Sequence, residues 1–176
     1  SESNVDMGFG EEVEVLARIP LFAGLSRARL KLLSFASERF AYAPGEDVFL
    51  QGDVGDKAYV IVEGEADVII HTADGPRKLV TMKRGELFGE LALLCEAPRS
   101  ATIKAANALS VMSISKDVFL KLVAEDVDMS ARVTRAVADR LERTTRDLSA
   151  ATAVRDAVSD LPDRRLFKDR FNLAIA

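Results

Sequence analysis

Residues 58–70 read Ala-Tyr-Val-Ile-Val-Glu-Gly-Glu-Ala-Asp-Val-Ile-Ile, two short apolar runs on either side of Gly64. The runs, Ala58–Val62 and Ala66–Ile70, are rich in β-branched residues and short enough for strands, and the glycine between them marks a turn. This stretch predicts two neighbouring strands and therefore a β fold.

Similar runs continue on both sides of this stretch, at intervals near ten residues. They are Phe40–Ala43, Val48–Leu50, Lys78–Met82, Ala101–Lys104 and Leu109–Ile114. The breaks between them fall at Pro44-Gly45, Gly52-Asp53, Asp74-Gly75-Pro76, Gly85 and Pro98. This spacing predicts seven or eight short strands in an antiparallel sandwich or jelly-roll β-barrel over about residues 38–114.

Helical patterns flank the β region. Residues 11–37 carry apolar side chains at helical spacing, interrupted by Pro20 and Gly24, which predicts two short helices around a turn. After Ser115, which is expected to be an N-cap, the β signals vanish and the C-terminal helices are expected over residues 116–151. We therefore predict a flexible N-terminus over 1–12, one domain over 13–148, and a tail or short helix over 152–176.

A narrow apolar stripe runs along the expected helix at 129–151. Its members are Met129, Val133, Val137, Leu141, Thr144, Leu148 and Ala151. Such a stripe needs a partner surface. Two interpretations have equal weight: the helix packs back on its own barrel, or it pairs with a second subunit in a homodimer.

Composition excludes several classes of function. The chain has 176 residues with one cysteine and one histidine, so neither an internal disulfide nor a multi-histidine metal site can form. Its longest apolar runs, of which Leu91–Cys95 is one, are far too short for a membrane span, and no signal peptide is recognisable, which favours a cytoplasmic protein. The formal charge of −4 gives no general attraction to nucleic acid.

Residues 85–102 carry the chemistry: Gly-Glu-Leu-Phe-Gly-Glu-Leu-Ala-Leu-Leu-Cys-Glu-Ala-Pro-Arg-Ser-Ala-Thr. A glycine-led helical turn inside a β region presents N–H groups to an anion, and Arg99 supplies a planar charged fork. Glu90 would be repelled by a phosphate unless it accepts a hydrogen bond from another ligand group, such as a ribose hydroxyl. The pattern predicts a sugar-phosphate site, although Glu90 and Arg99 could instead form a structural ion pair.

This stretch resembles the phosphate-binding cassette of the cyclic-nucleotide-binding domain family. Phe88–Leu94 and Pro98–Thr102 match the cassette without a gap, and the resemblance covers about residues 13–148. It implies that Glu90 accepts from the ribose 2′-hydroxyl and that Arg99 pairs with the cyclic phosphate. The implied phosphate cradle comprises the amides of Gly89, Leu91, Ala92 and Ala101 with the Ser100 hydroxyl. Val68, Leu79 and Met82 would pack the base and ribose, or be plain core.

Within the family, the pattern is most similar to the bacterial catabolite-activator regulators, with protein-kinase-A regulatory subunits as related members. The resemblance places Thr144 and Thr145 where hydroxyls reach the adenine from each subunit, although Thr144 could be a small seam residue and Thr145 a solvated one. The helix-turn-helix domain of those regulators is missing from this chain. The chain is thus expected to be a regulatory protein without its own output domain, or a piece of a longer one.

The expected function is binding of a cyclic nucleotide, cAMP with cGMP as the alternative, without enzymatic activity or a cofactor. Binding would draw the cassette inward and repack the C-terminal helices, with Phe119, Leu122 and Leu141 as candidate hinge and lid contacts. The expected partners are a second copy, through 129–151, and an unidentified output protein. The alternatives are a ligand-free scaffold or dimerisation module, and a sensor fragment of a transcription regulator, channel or kinase. A cupin-type enzyme is disfavoured because its metal site would need two or three histidines. His71 is the one histidine of the chain and is expected at the surface.

Overall fold

The computed structural model describes residues 9–94, 97–135, 137–139 and 142. Its strands are β1 Glu38–Tyr42, β2 Asp47–Phe49, β3 Lys57–Glu63, β4 Ala66–Thr72, β5 Gly75–Met82, β6 Leu87–Phe88, β7 Thr102–Ala105 and β8 Leu109–Ser115. Its helices are α1 Phe9–Ala17, a 3₁₀ turn at Pro20–Phe22, α2 Arg27–Ala36, α3 Leu91–Leu94 and α4 Lys116–Glu125. A further helical stretch covers residues 127–135.

The eight strands form two four-stranded antiparallel sheets, in the orders β1-β8-β3-β6 and β2-β7-β4-β5. The predicted antiparallel jelly roll is therefore confirmed. Closure into a barrel is not: among the described residues no ladder joins the two sheets. The short strand β6 forms one edge of the β1-β8-β3-β6 sheet. It is joined to β3 by two residue pairs, Tyr59↔Phe88 and Val60↔Leu87.

Two apolar clusters hold these layers together. Between the sheets, side chains that alternate inward along the strands form one cluster, which includes Val68, Ile103 and Val111. The second cluster, called the helix-side cluster below, lies between the first sheet, β1-β8-β3-β6, and the helices. It includes Leu16, Phe22 and Phe119. The helices thus cover one sheet, while the other cluster fills the space between the two sheets.

The predicted flanking helices are present, with caps that explain where they begin. Ser26 accepts a hydrogen bond from the Arg29 amide at the start of α2, and Ser115 accepts one from the Val118 amide at the start of α4. Helix α1 begins at Phe9, earlier than the domain start predicted at residue 13. The strand β6 was not predicted, because two apolar residues give no periodic signal.

A buried polar cluster fastens α1 and α2 to β1. The carboxylate of Glu12 accepts hydrogen bonds from Ser34 at 2.7 Å and from Arg39 Nε at 2.8 Å. Burial raises the pKa of Glu12, but the hydrogen bonds from Arg39 and Ser34 outweigh it and hold that pKa below its ordinary value. The ionised carboxylate is therefore a structural element of the helix packing.

The start of the C-terminal helix packs on its own domain. Met129 is fully buried and Val133 is partly buried against the helix-side cluster. The Arg132 guanidinium lies against Gly24, where an added Cβ would meet Nη1 at 1.8 Å. This part of the stripe follows the first of the two interpretations. Leu141, Thr144, Leu148 and Ala151 lie outside the described residues, and pairing between subunits stays a prediction.

Replacing Glu12 by Gln should destabilise the domain in a pH-dependent way. Loss of the charge-assisted hydrogen bonds should lower the free energy of unfolding at pH 7 by about 1–2 kcal/mol. The loss is no larger because Arg39 is partly exposed to water, which weakens its attraction to the carboxylate. Because the folded-state pKa of Glu12 is depressed, its stabilisation is present above about pH 4.5 and is lost as the pH falls through the folded value. Denaturant titrations from pH 7 to pH 3 should show the gap between the two proteins closing.

Glu11→Gln is the matched control, because Glu11 is an exposed neighbour on the same helix. A gap that stays constant down to pH 3 would contradict the role assigned to the Glu12 carboxylate.

Candidate functional site

The segment after β6 makes a tight turn into a short helix. Gly89 has φ +73°, a left-handed conformation that suits glycine, and it reverses the chain between β6 and α3. The turn is closed by the amide of Ala92, which donates to the Gly89 carbonyl at 3.2 Å, and by the amide of Leu93, which donates to the Glu90 carbonyl at 3.0 Å. The glycine-led helical turn predicted from the sequence is therefore present.

Arg99 follows this turn and α3 in the chain, and its guanidinium is buried inside the protein. Its Nη1 donates to the Gly89 carbonyl at 3.0 Å, and its Nη2 donates to the Lys57 carbonyl at 2.8 Å. The residue is 7% exposed. The arginine therefore bridges the glycine turn and the first residue of β3.

Three aromatic rings form the floor beneath Arg99. The Tyr59 and Phe88 rings stack with centroids 5.2 Å apart, and Phe49 lies 5.9 Å from Tyr59 and 6.0 Å from Phe88. The guanidinium carbon of Arg99 lies 4.1 Å from the centroid of Phe49. Strands from both sheets contribute to this floor, since Phe49 ends β2 while Tyr59 and Phe88 belong to β3 and β6.

Two glycines leave the room that the guanidinium occupies. A Cβ on Gly55 would lie 2.3 Å from Arg99 Nη2, and a Cβ on Gly89 would lie 2.7 Å from Nη1. Real Cβ atoms essentially never approach other atoms this closely. Gly55 and Gly89 therefore form a slot shaped for the arginine head group.

Burial dominates the electrostatics around Arg99 and holds the pKa of its guanidinium below its ordinary value. The Tyr59 phenol and the negative charges of Asp56, Glu90 and Asp53 act in the opposite direction. Glu90 is fully buried. A buried positive fork and a buried carboxylate thus share one small region.

The structure brings most of the predicted site residues together. Gly89, Glu90 and Ala92 form the turn, Arg99 fills the slot, and Ser100 and Ala101 lead from it into β7. The amide of Leu91 begins α3. Val68, Leu79 and Met82 are buried in the cluster between the sheets, together with Phe49 and Phe88. Thr144 and Thr145 lie outside the described residues.

The Arg99 guanidinium is chemically suited to bind an anion that carries hydrogen-bond acceptors. Arg99 Nε is buried and has no hydrogen-bond partner among the described residues, although buried N–H groups almost always have one. A phosphate oxygen would supply that acceptor. Within the same part of the chain, no group of three or more His, Cys, Asp or Glu side chains could hold a metal ion.

A jelly roll with a glycine-led turn, a buried arginine fork and a neighbouring buried carboxylate places the protein among β domains whose site suits a small anionic ligand. Comparison with known proteins gives the same class. The sequence profile described as "Cyclic nucleotide-binding domain" matches residues 39–126, half of the chain. The chain belongs to the cyclic nucleotide-binding domain family.

The similar proteins are regulators. A cAMP-dependent protein kinase regulatory subunit from Schizosaccharomyces pombe is 32% identical over 122 residues, which are 69% of this chain and 29% of that protein. A CRP-like cAMP-activated global transcriptional regulator from Mycobacterium tuberculosis is 28% identical over 137 residues, 77% of this chain and 61% of the regulator. The chain therefore spans less than two thirds of the length of these relatives.

Solved structures agree with the fold. The regulatory domain of Toxoplasma gondii PKA, crystallised with cAMP, superposes with a TM-score of 0.62 at 25% identity, covering 65% of this chain and 44% of that one.

Among the described residues, no helix combines the length and apolar character needed to cross a membrane.

The sequence did not predict the aromatic rings beneath Arg99 or the role of Gly55 in making room for its guanidinium. Phe49 and Tyr59 lie in or beside apolar runs that predicted strands, and nothing in the pattern distinguishes them from ordinary core residues. Gly55 gave no turn signal of its own, because Gly52-Asp53 already accounted for a break there. These residues acquire their roles only when β2, β3 and the turn after β6 come together.

Gly55→Ala should dislodge the Arg99 guanidinium. Gly55 does not have a left-handed backbone, so the new methyl group acts through its collision with Arg99 rather than through backbone strain. We expect a loss of about 1–2 kcal/mol in the free energy of unfolding, the scale of one charged hydrogen bond or ring contact. In an Arg99→Ala background the same change should have almost no effect, because the collision is gone.

Chemical denaturation of the four proteins of this double-mutant cycle provides the measurement. Gly10→Ala serves as the control, since a Cβ there meets nothing within 4 Å. Additive effects of Gly55→Ala and Arg99→Ala would refute the slot.

Proposed function

We propose that this chain is a cAMP-binding regulatory domain that couples ligand binding to movement of its C-terminal helices. The observation that carries the proposal is the buried Arg99 fork, bonded to the glycine-led turn that also carries the fully buried Glu90. Relatives named for cAMP, in both kinase and transcriptional regulators, support the choice of ligand.

The cyclic phosphate would be held by Arg99, the Ser100 hydroxyl and the amides of the cassette, and Glu90 would accept from the ribose 2′-hydroxyl. Those amides are Gly89, Leu91, Ala92 and Ala101. The Ala92 amide already closes the turn onto Gly89, so a phosphate oxygen would share or displace that bond. Binding therefore includes an adjustment of the turn itself.

Val68, Leu79 and Met82 would form the apolar wall against the base and ribose. All three are buried in the cluster between the sheets, adjacent in the fold to Phe49 and Phe88. Thr144 and Thr145 would reach the adenine from the C-terminal helix of each subunit in a homodimer formed through 129–151. This arrangement favours cAMP over cGMP.

A short path links the slot to α4. Arg99 Nη2 donates to the Lys57 carbonyl, and the preceding residue, Asp56, accepts from the Lys116 amide at 3.0 Å. Lys57 also pairs with Ser115, the N-cap of α4. A phosphate bound to Arg99 would therefore act on the first residues of α4 through the bond to Lys57.

Helix α4 is well placed to transmit such a change. Phe119 and Leu122 are buried in the helix-side cluster, so a shift at its N-terminus must be accommodated by repacking there. We assign the hinge to these two residues, with Leu141 as a lid contact further along. The output partner is a protein or domain that contacts the C-terminal helix.

Calorimetric titration of the nucleotide-stripped chain with cAMP, cGMP and adenosine tests the proposal. We expect the tightest binding for cAMP, weaker binding for cGMP, and a large loss for adenosine, which lacks the phosphate that Arg99 recognises. Absence of binding by all three would overturn the proposal in favour of a ligand-free scaffold. Equal binding of adenosine and cAMP would overturn the role of the phosphate.

Arg99→Ala should weaken cAMP binding by at least about tenfold, because a phosphate would enter the site without its counter-charge. Arg84→Ala is the matched control, since Arg84 is exposed in the turn after β5. The same calorimetric titration measures both variants, with thermal unfolding to confirm that they fold. Unchanged affinity in Arg99→Ala would remove Arg99 from the site.

Coupling to α4 predicts a specific pattern of NMR shifts. On saturation with cAMP, the amide resonances of Lys116 and Val118 should move, because their hydrogen bonds connect to Asp56 and Ser115. The amides of Thr72 and Gly75, at the tip of the β4–β5 hairpin, should stay in place. Shifts confined to the cassette would show that binding does not reach the helix.

A further inference from the structure

Phe49 lies directly against the most important charged group of the site. It is the last residue of β2, it is 8% exposed, and its ring centroid is 4.1 Å from the guanidinium carbon of Arg99. Tyr59 also lies near this group, at the longer distance of 5.9 Å. Phe49 is thus the closer of the two aromatic faces.

The contact has the geometry of a cation–π interaction. A guanidinium within about 6 Å of a ring centroid is attracted by the negative face of the ring, and the attraction is larger where both groups are shielded from water. Both conditions hold here, since Arg99 and Phe49 are buried. An aliphatic side chain of similar size would fill the space without supplying this attraction.

The hydrogen bonds of Arg99 do not fully define the orientation of its guanidinium. The bonds to Gly89 and Lys57 fix the two terminal nitrogens, Nη1 and Nη2, within the plane of the guanidinium. They leave the tilt of that plane open. A flat ring beneath the group defines the tilt, and the space left by Gly55 lets the plane lie there.

We propose that Phe49 is a positioning residue that holds the Arg99 guanidinium in its binding orientation before the ligand arrives. This inference rests on the proposed function, cyclic nucleotide binding at Arg99. Phe49 touches no part of the phosphate in this role; it acts through Arg99. Its effect on affinity should therefore exist only while the arginine is present.

Two substitutions separate the ring face from the space it fills. Phe49→Leu removes the π face and keeps an apolar side chain, and it should weaken cAMP binding about fivefold, within the range expected for a cation–π contact. Phe49→Tyr keeps the π face and should bind within about twofold of the parent chain. Phe22→Leu is the matched control: this buried phenylalanine belongs to the helix-side cluster, so its replacement should lower stability but not affinity.

A double-mutant cycle with Arg99→Ala gives the decisive result. In the Arg99→Ala background, Phe49→Leu should cause no further loss of cAMP affinity. A fivefold loss in both backgrounds would show that Phe49 acts on the ligand or on the general packing, and would overturn the inference. Equal affinity of the parent chain and Phe49→Leu would do the same.

A ligand-free measurement keeps this inference distinct from the proposed function. The Arg99 Nε–H proton should resonate upfield of ordinary arginine signals, mainly because of the ring current of Phe49, and most of the shift should be lost in Phe49→Leu and kept in Phe49→Tyr. If the parent chain shows this shift but does not bind cAMP, the proposed function fails while the orientation by Phe49 stands. If the chain binds cAMP but the signal is unchanged in Phe49→Leu, only the inference fails.

Discussion

Burial of one guanidinium organises the centre of this protein. Arg99 is held by two backbone carbonyls and an aromatic ring, and each of these partners comes from a different part of the chain: Lys57, Gly89 and Phe49. A buried charge is costly unless its surroundings compensate for it. The sandwich therefore has to bring β2, β3 and the turn after β6 together at this point, and the two glycines there are required by the space that the arginine occupies.

In the function proposed above, the same constraint would connect binding to conformation. The residues around position 56 serve both the slot and the beginning of α4, so the two are separated by one peptide unit rather than by a long chain of packed side chains. Because α4 and the following helix bury Phe119 and Met129 in one cluster, a displacement at the beginning of α4 is shared by the helices that cover the first sheet. Under the proposed function, a ligand would act by favouring one arrangement of this shared layer.

The sequence predicted the strand framework, the flanking helices and the cassette, because each leaves a local signal: a turn glycine, a periodic apolar run, or Ser115 ahead of a helix. It did not predict β6, the Glu12 cluster or the aromatic floor. Arg39 and Glu12 are far apart in the chain and look like ordinary surface charges, and Phe49 looks like an ordinary strand residue. Their roles arise from tertiary contacts, which local patterns do not encode. Closure of the barrel failed as a prediction for a related reason, since it depends on the pairing of sheet edges.

The limits of the family and the limits of the folding unit differ in this chain. The family match runs from residue 39 to residue 126, yet the cluster beneath the first sheet takes Leu16, Phe22 and Leu33 from before that range and Met129 from after it. Arg39, the first matched residue, has its carboxylate partner in α1. A recombinant fragment trimmed to the family limits would keep α4 but lose α1 and α2, so it would carry a partly uncovered apolar sheet face and an arginine without its counter-ion. Its boundaries need to extend outward to include both helical flanks.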